Sequence, residues 1–93
     1  MQIVYEESFS KSFLNILTFI SKDKKSSAIK FKNNLKEKIE LLKLSPLMCR
    51  KSKYIDNENY RDLIFKGYTT IYKIEEKQIK ILDIFKWEDR AQT

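Results

Sequence analysis

The 93-residue sequence has no histidine, one cysteine, one proline and one glycine. Without histidine, the chain has no Ser-His-Asp or Cys-His catalytic arrangement, no imidazole base and no His-bearing zinc ligand set. A lone cysteine, Cys49, excludes an internal disulfide and fits a reducing compartment. One glycine cannot build a Gly-rich phosphate loop. The scarcity of both glycine and proline argues against a loop-rich β-sandwich. No basic-then-apolar leader opens the chain, and no apolar run approaches the roughly 20 residues needed to span a bilayer. The expectation is a soluble, cytoplasmic protein with no membrane partner.

What is present is globular composition: 42% hydrophobic and 13% aromatic residues, in a length that allows one domain over residues 1–93. The net charge is +6, from 19 basic and 13 acidic side chains. Residues 1–55 hold 12 basic and 5 acidic groups, whereas residues 56–93 hold 7 and 8. The positive N-terminal half favours an acidic partner, protein or nucleic acid. Only Arg50, Arg61 and Arg90 are arginines, so the lysines also read as an ordinary solvated surface.

Met1–Tyr5 reads as a β-prone opening strand. Ser8 is a candidate N-cap for a helix in which Phe9, Phe13, Ile16, Leu17 and Ile20 recur at helical spacing. The polar run 21–25 should end it. Ser26 or Ser27 would cap a second helix with Ala28, Phe31, Leu35, Ile39 and Leu42 as its buried stripe and Lys36–Glu40 as an i,i+4 pair. Ser45-Pro46 stops that helix. Residues 47–59 are irregular. The period then falls to two: Tyr60–Phe65 is a strand, Lys66-Gly67 a tight turn, Tyr68–Ile74 a strand, 75–77 a turn and Gln78–Lys86 a central strand buried on both sides. The resulting fold class is α+β, in the order β-α-α-β-β-β. Two N-terminal helices cover one face of a small, mainly antiparallel sheet, and the opposite face stays partly open.

The stretch Tyr60-Arg61-Asp62-Leu63-Ile64-Phe65-Lys66-Gly67-Tyr68-Thr69-Thr70-Ile71-Tyr72-Lys73-Ile74, followed by Ile79–Phe85, resembles the RelE/ParE toxin superfamily. Pro46 after the second helix also stands where that family has a proline. The resemblance implies a growth-inhibiting toxin of a type II toxin-antitoxin system, of the plasmid-stabilization kind, neutralised by a cognate antitoxin. RelE-like members cut mRNA on the ribosome; ParE-like members poison DNA gyrase. The nuclease branch carries basic residues on the strand before the Gly-Tyr turn, an arginine after that turn, and a basic and aromatic set near the C-terminus. Here Arg61 fits the first position, but Leu63 and Thr69 occupy two of the others and cannot donate a charged hydrogen bond. The resemblance therefore implies the ParE-like branch, a binding poison that requires no cofactor; Asp56, Glu58, Asp62 and Asp83 have no metal-ligand spacing, so no metal is expected.

The implied target-binding residues are Arg50, Lys51, Lys53, Arg61, Lys86, Trp87 and Arg90. For a nuclease acting on the ribosome and mRNA, Arg61, Lys86 and Arg90 would be the catalytic set. Each has a plainer reading beside it. Arg61 could pair with Asp62 or Glu88, residues 50–54 could be a solvated loop, and Trp87 could cover the sheet edge. Tyr68 and Tyr72 read as core, Cys49 as an inert thiol. A third reading, a basic nucleic-acid-binding module without effect on growth, would show steep salt dependence.

Overall fold

A computed structural model describes residues 1–86. Trp87 and Arg90 therefore lie outside the described residues. The elements are β1 (Gln2–Tyr5), α1 (Glu7–Asp23), α2 (Lys25–Leu41), β2 (Arg50–Lys51), β3 (Tyr60–Phe65), β4 (Tyr68–Ile74) and β5 (Gln78–Lys86). The five strands form one mixed sheet in the order β1-β5-β4-β3-β2, parallel only between β1 and β5. The α+β order expected from the periodicity is present, with β2 as an additional strand. Its two residues are too few to leave a periodic signal.

Both helices start earlier than cap chemistry suggested. The residue before α1 is Glu6, and the single extended residue Lys24 (φ −157°) separates α1 from α2. Ser8, Ser26 and Ser27 all lie inside helices, and no side chain caps either N-terminus. The break at Lys24 lets the hairpin lay both apolar stripes on the sheet, and that packing outweighs the ~1 kcal/mol typical of a cap.

The stripes themselves are as the spacing predicts. Phe9, Phe13, Ala28, Phe31, Leu35, Ile39 and Leu42 are buried, against Leu63, Tyr68, Tyr72, Ile79, Ile81 and Ile84 of the sheet. Aromatic rings run through this core as a chain. Tyr5 meets Phe9 at 5.5 Å, Phe9 meets Phe13 at 5.2 Å and Phe13 meets Phe31 at 6.4 Å. Phe31 then touches both Phe65 (5.5 Å) and Tyr68 (5.3 Å), so one side chain joins α1, α2 and the β3–β4 hairpin. That hairpin turns on Lys66 (φ 54°) and Gly67 (φ 81°), the mirror-image geometry that matches strand twist.

β5 is flanked by β1 and β4, and β4 is the middle strand and the more continuously buried. A bulge opposite Ile71 and Tyr72 leaves Leu82 unpaired. The bulge gives α1 a polar seam: Ser8 Oγ donates to the Leu82 carbonyl, and Ser12 Oγ to Asp83 Oδ1 at 2.8 Å. The Lys36–Glu40 pair does not form. Glu40 accepts instead from Lys43 at 2.7 Å, and the Lys36 ammonium lies 5.6 Å from the Tyr5 ring centre.

The second sheet face is less open than expected. The 52–59 loop crosses it, Tyr54 meets Phe85 edge-on at 5.1 Å, and Thr69, Ile71 and Phe85 are buried. No helix among the described residues is long and apolar enough to cross a membrane.

Phe31→Ala removes the ring shared by three elements and should cost about 3–5 kcal/mol. Urea unfolding should show a lower midpoint with an unchanged slope. A loss under about 1 kcal/mol would mean that the ring chain does not organise this core.

Candidate functional site

Side chains alternate along a strand, so the neighbours Arg61 and Asp62 of β3 point to opposite faces. Each grips the same loop. On the helix side, Arg61 donates from Nη1 to the Cys49 carbonyl (3.1 Å) and from Nε to the Glu58 carbonyl (3.2 Å). On the other side, Asp62 Oδ2 accepts from Arg50 Nη2 (3.3 Å) and from the Lys53 amide (3.0 Å). The two residues fasten both stems of the 49–58 segment.

Further bonds stiffen the segment. β2 pairs Arg50 with Asp62 and Lys51 with Arg61, and the Ser52 amide donates to the Tyr60 carbonyl at 2.8 Å. Lys51 Nζ lies 3.3 Å from Glu58 Oε1. The Tyr72 hydroxyl donates to the Pro46 carbonyl at 2.7 Å, which ties the start of the segment to the middle strand. Burial raises the pKa of the Tyr72 hydroxyl, and the neighbouring Cys49 adds to the effect. Burial likewise raises the Cys49 thiol, against smaller opposing effects of a Tyr72 hydrogen bond and the Arg61 charge. Cys49 is thus held as a neutral thiol, a poor nucleophile.

Four of the candidate residues stand together: Arg50, Lys51 and Lys53 are exposed at the β2 edge, and Arg61 is half-buried beside them. Arg61 does not pair with Asp62, its bonds going instead to the Cys49 and Glu58 carbonyl oxygens, and Glu88 lies outside the described residues. Lys86 stands apart at the far end of β5, its ammonium 5.7 Å from the Phe19 ring centre. Three strand spacings and four residues separate its register position from that of Lys51, roughly 14 Å across the sheet and 13 Å along it. Leu63 is 3% exposed in the core and Thr69 0% exposed beneath the loop-covered face, so neither position reaches solvent. Among the described residues no three Cys, Asp or Glu side chains converge to hold a metal ion.

The sequence does not single out Asp62 as the anion here; its one mark is a carboxylate inside the otherwise apolar strand Tyr60–Phe65, next to Arg61. The exposure of Leu44, Leu47 and Met48 leaves no periodic signal, because the helical period ends at Leu42.

The family model of the ParE toxin of the parDE type II toxin-antitoxin system matches residues 3–90. No curated protein matches the sequence. Among solved structures, the chain is similar to the chromosomal ParDE system from P. aeruginosa, with a TM-score of 0.74 at 15% identity over 92% of this chain and 95% of that one. It is also similar to the E. coli DinJ-YafQ complex, at 0.65 and 21% over 97% of each. A conserved hypothetical protein of Helicobacter pylori follows at 0.54 and 16%, over 95% of this chain and 96% of that one. These likenesses are of fold.

Two outcomes test the site's construction. Arg50→Ala removes a cation that is itself 37% exposed and that water can partly replace, and should cost about 1 kcal/mol, less than Asp62→Asn, which weakens both bonds at the buried carboxylate, at about 1–3 kcal/mol. Urea midpoints decide the order; equal small losses would show that the pair does not hold the segment. The second outcome is alkaline. Tyr72 keeps its proton in the folded state, whereas in the unfolded chain it loses it near its ordinary 10.0. Above that pH the unfolded state binds fewer protons, so this contribution to stability is full below pH 10 and erodes as pH rises, by up to about 1.4 kcal/mol per unit. The stability gap between wild type and Tyr72→Phe should therefore narrow from pH 9 to 11, and a constant gap would contradict the assignment.

Proposed function

The chain belongs to the ParE toxin family of type II toxin-antitoxin systems, and from that membership we propose that it arrests growth by binding DNA gyrase and holding it on cleaved DNA. The protein then acts by occupancy, and no bond is made or broken by its own side chains. One observation carries this reading over nuclease chemistry: the two positions where a nuclease of the superfamily would present cations, Leu63 and Thr69, are enclosed by protein. Substitution alone could be compensated from a neighbouring position. Burial removes the space in which a phosphate would sit.

The second reading, a ribosome-dependent mRNA endonuclease, is favoured by the clustering of Arg50, Lys51, Lys53 and Arg61. Such a group can bind phosphate through charge-assisted hydrogen bonds. Against it, Arg61 is engaged with two carbonyl oxygens, Lys51 with Glu58, and Lys86 stands well away, so these cations do not converge on one phosphate position.

The partner on this reading is a cognate antitoxin, and the furrow between the two helices suits one. Its apolar surface comes from Leu14, Leu17, Ala28 and Ile29, with Lys25 and Lys32 along the α2 rim and no acidic side chain in its lining among the described residues. An acidic amphipathic segment that orders on binding would match both its apolar and its charged character.

Purified protein added to a gyrase supercoiling reaction should inhibit it and leave linearised plasmid when the complexes are denatured. A folded preparation with no effect at micromolar excess, combined with mRNA cut in a ribosome-containing translation mixture, would replace this reading with the second.

A further inference from the structure

α2 has a second flank, which faces the β3–β4 hairpin. Between them lies a hollow of about 330 Å³ whose apolar walls come from Ile20, Phe31 and Phe65. It shares no lining residue with the furrow between the helices. Its polar groups can all donate a hydrogen bond: the side chains of Ser27, Lys30 and Asn34 on α2, Lys66 of the turn and Tyr68 of β4. No carboxylate lines it among the described residues. Glu37, the first acidic residue of α2, lines the adjoining hollow instead.

Three features of this hollow have no explanation in the fold. Lys66 stands in the left-handed region (φ 54°), where asparagine or glycine fits the turn with less strain, so turn chemistry does not select a lysine. Lys30 and Lys66 make no ion pair and lie over no ring among the described residues, whereas Lys43 and Lys51 are paired with Glu40 and Glu58 and Lys36 and Lys38 cover Tyr5 and Phe65. Tyr68 is only 9% exposed, yet its hydroxyl has no hydrogen-bond partner among the described residues. Buried tyrosine hydroxyls ordinarily have one, as Tyr72 does at the Pro46 carbonyl. A strained position that keeps a cation is a mark of function rather than of folding.

We propose that this hollow is a binding site for a small organic acid, a carboxylate carried on an apolar body. Lys30 and Lys66 hold the carboxylate, the Tyr68 hydroxyl donates to it, and the body lies against Phe31, Phe65 and Ile20. The chemistry of the walls selects this class. An inorganic anion would leave the apolar walls unused, and no arginine is present to supply the planar fork that favours phosphate. A neutral apolar ligand would leave both ammonium groups without a counter-charge. The volume stands at the low end of the roughly 300–1,000 Å³ of ligand sites, which suits a small free acid. The inference does not depend on what the toxin inhibits.

The probe is phenylpropionate, titrated into the isotope-labelled full chain while amide chemical shifts are followed, with phenylpropanol and inorganic phosphate as comparisons. Saturable shifts should appear at Ser27, Lys30, Asn34, Lys66 and Tyr68, and the alcohol and phosphate should each bind at least about tenfold more weakly. The double variant Lys30→Gln/Lys66→Asn should also bind the acid at least about tenfold more weakly. Lys66→Asn alone should keep or raise the thermal midpoint, because asparagine is the better residue for that backbone. A lower midpoint would assign the lysine to the turn and overturn its role at the site. Shifts that do not saturate by about 20 mM acid would overturn the site itself. Equal binding of the alcohol would reduce it to an apolar hollow, and equal binding of phosphate to a bare patch of charge; either result rejects the ligand class. A double variant that binds as tightly as wild type would reject the two lysines as its carboxylate holders.

Discussion

Alternation along one short strand organises the loop at this edge of the sheet. Because successive residues of β3 face opposite ways, Arg61 and Asp62 reach the two sides of the same loop, one as donor to carbonyl oxygens, the other as acceptor from an amide and a guanidinium. A segment with no regular structure beyond the two residues of β2 is thereby bonded to β3 on both faces. Burying the Asp62 carboxylate costs several kcal/mol in desolvation, and the Arg50 and Lys53 donors offset much of that cost only while the segment stays in place. The carboxylate therefore favours this one conformation of the loop over others.

The core supports this arrangement from below. The aromatic chain from Tyr5 to Tyr68 fixes the helical hairpin against the β3–β4 hairpin, and Tyr72 extends the core to the Pro46 carbonyl beyond the end of α2. On the other flank of β4, the bulge in β5 turns a break in the ladder into partners for Ser8 and Ser12. Polar contacts are thus few and placed where the apolar packing needs a fixed register.

The helices, the three long strands, the Lys66-Gly67 turn and nearly all of the core could be read from periodicity, because hydrophobic spacing is a local record of which face is buried. The failures have a common cause. Ser8, Ser26 and Ser27 have good cap chemistry, yet the helix starts follow hairpin packing, a tertiary property. Lys36 and Glu40 have the right separation to pair, but Tyr5 and Lys43 compete for them from outside that window. The site was legible as a group of cations and hidden as a structure. Arg50, Lys51, Lys53 and Arg61 could be singled out by charge, whereas the grip of Asp62 and the exposure of Leu44 depend on contacts between segments distant along the chain.

The parallel pairing of β1 with β5 joins Gln2 to Gln78, almost the two ends of the described chain. Loop-closure entropy rises with the logarithm of the span, so this contact is the costliest in chain freedom and the β3–β4 hairpin among the cheapest. Assembly through local contacts first would leave β1 to dock last, onto a sheet edge already formed. Until then β5 presents a free edge bearing Ile79 and Ile81, and the period before closure is when the chain is most exposed to pairing with the wrong strand.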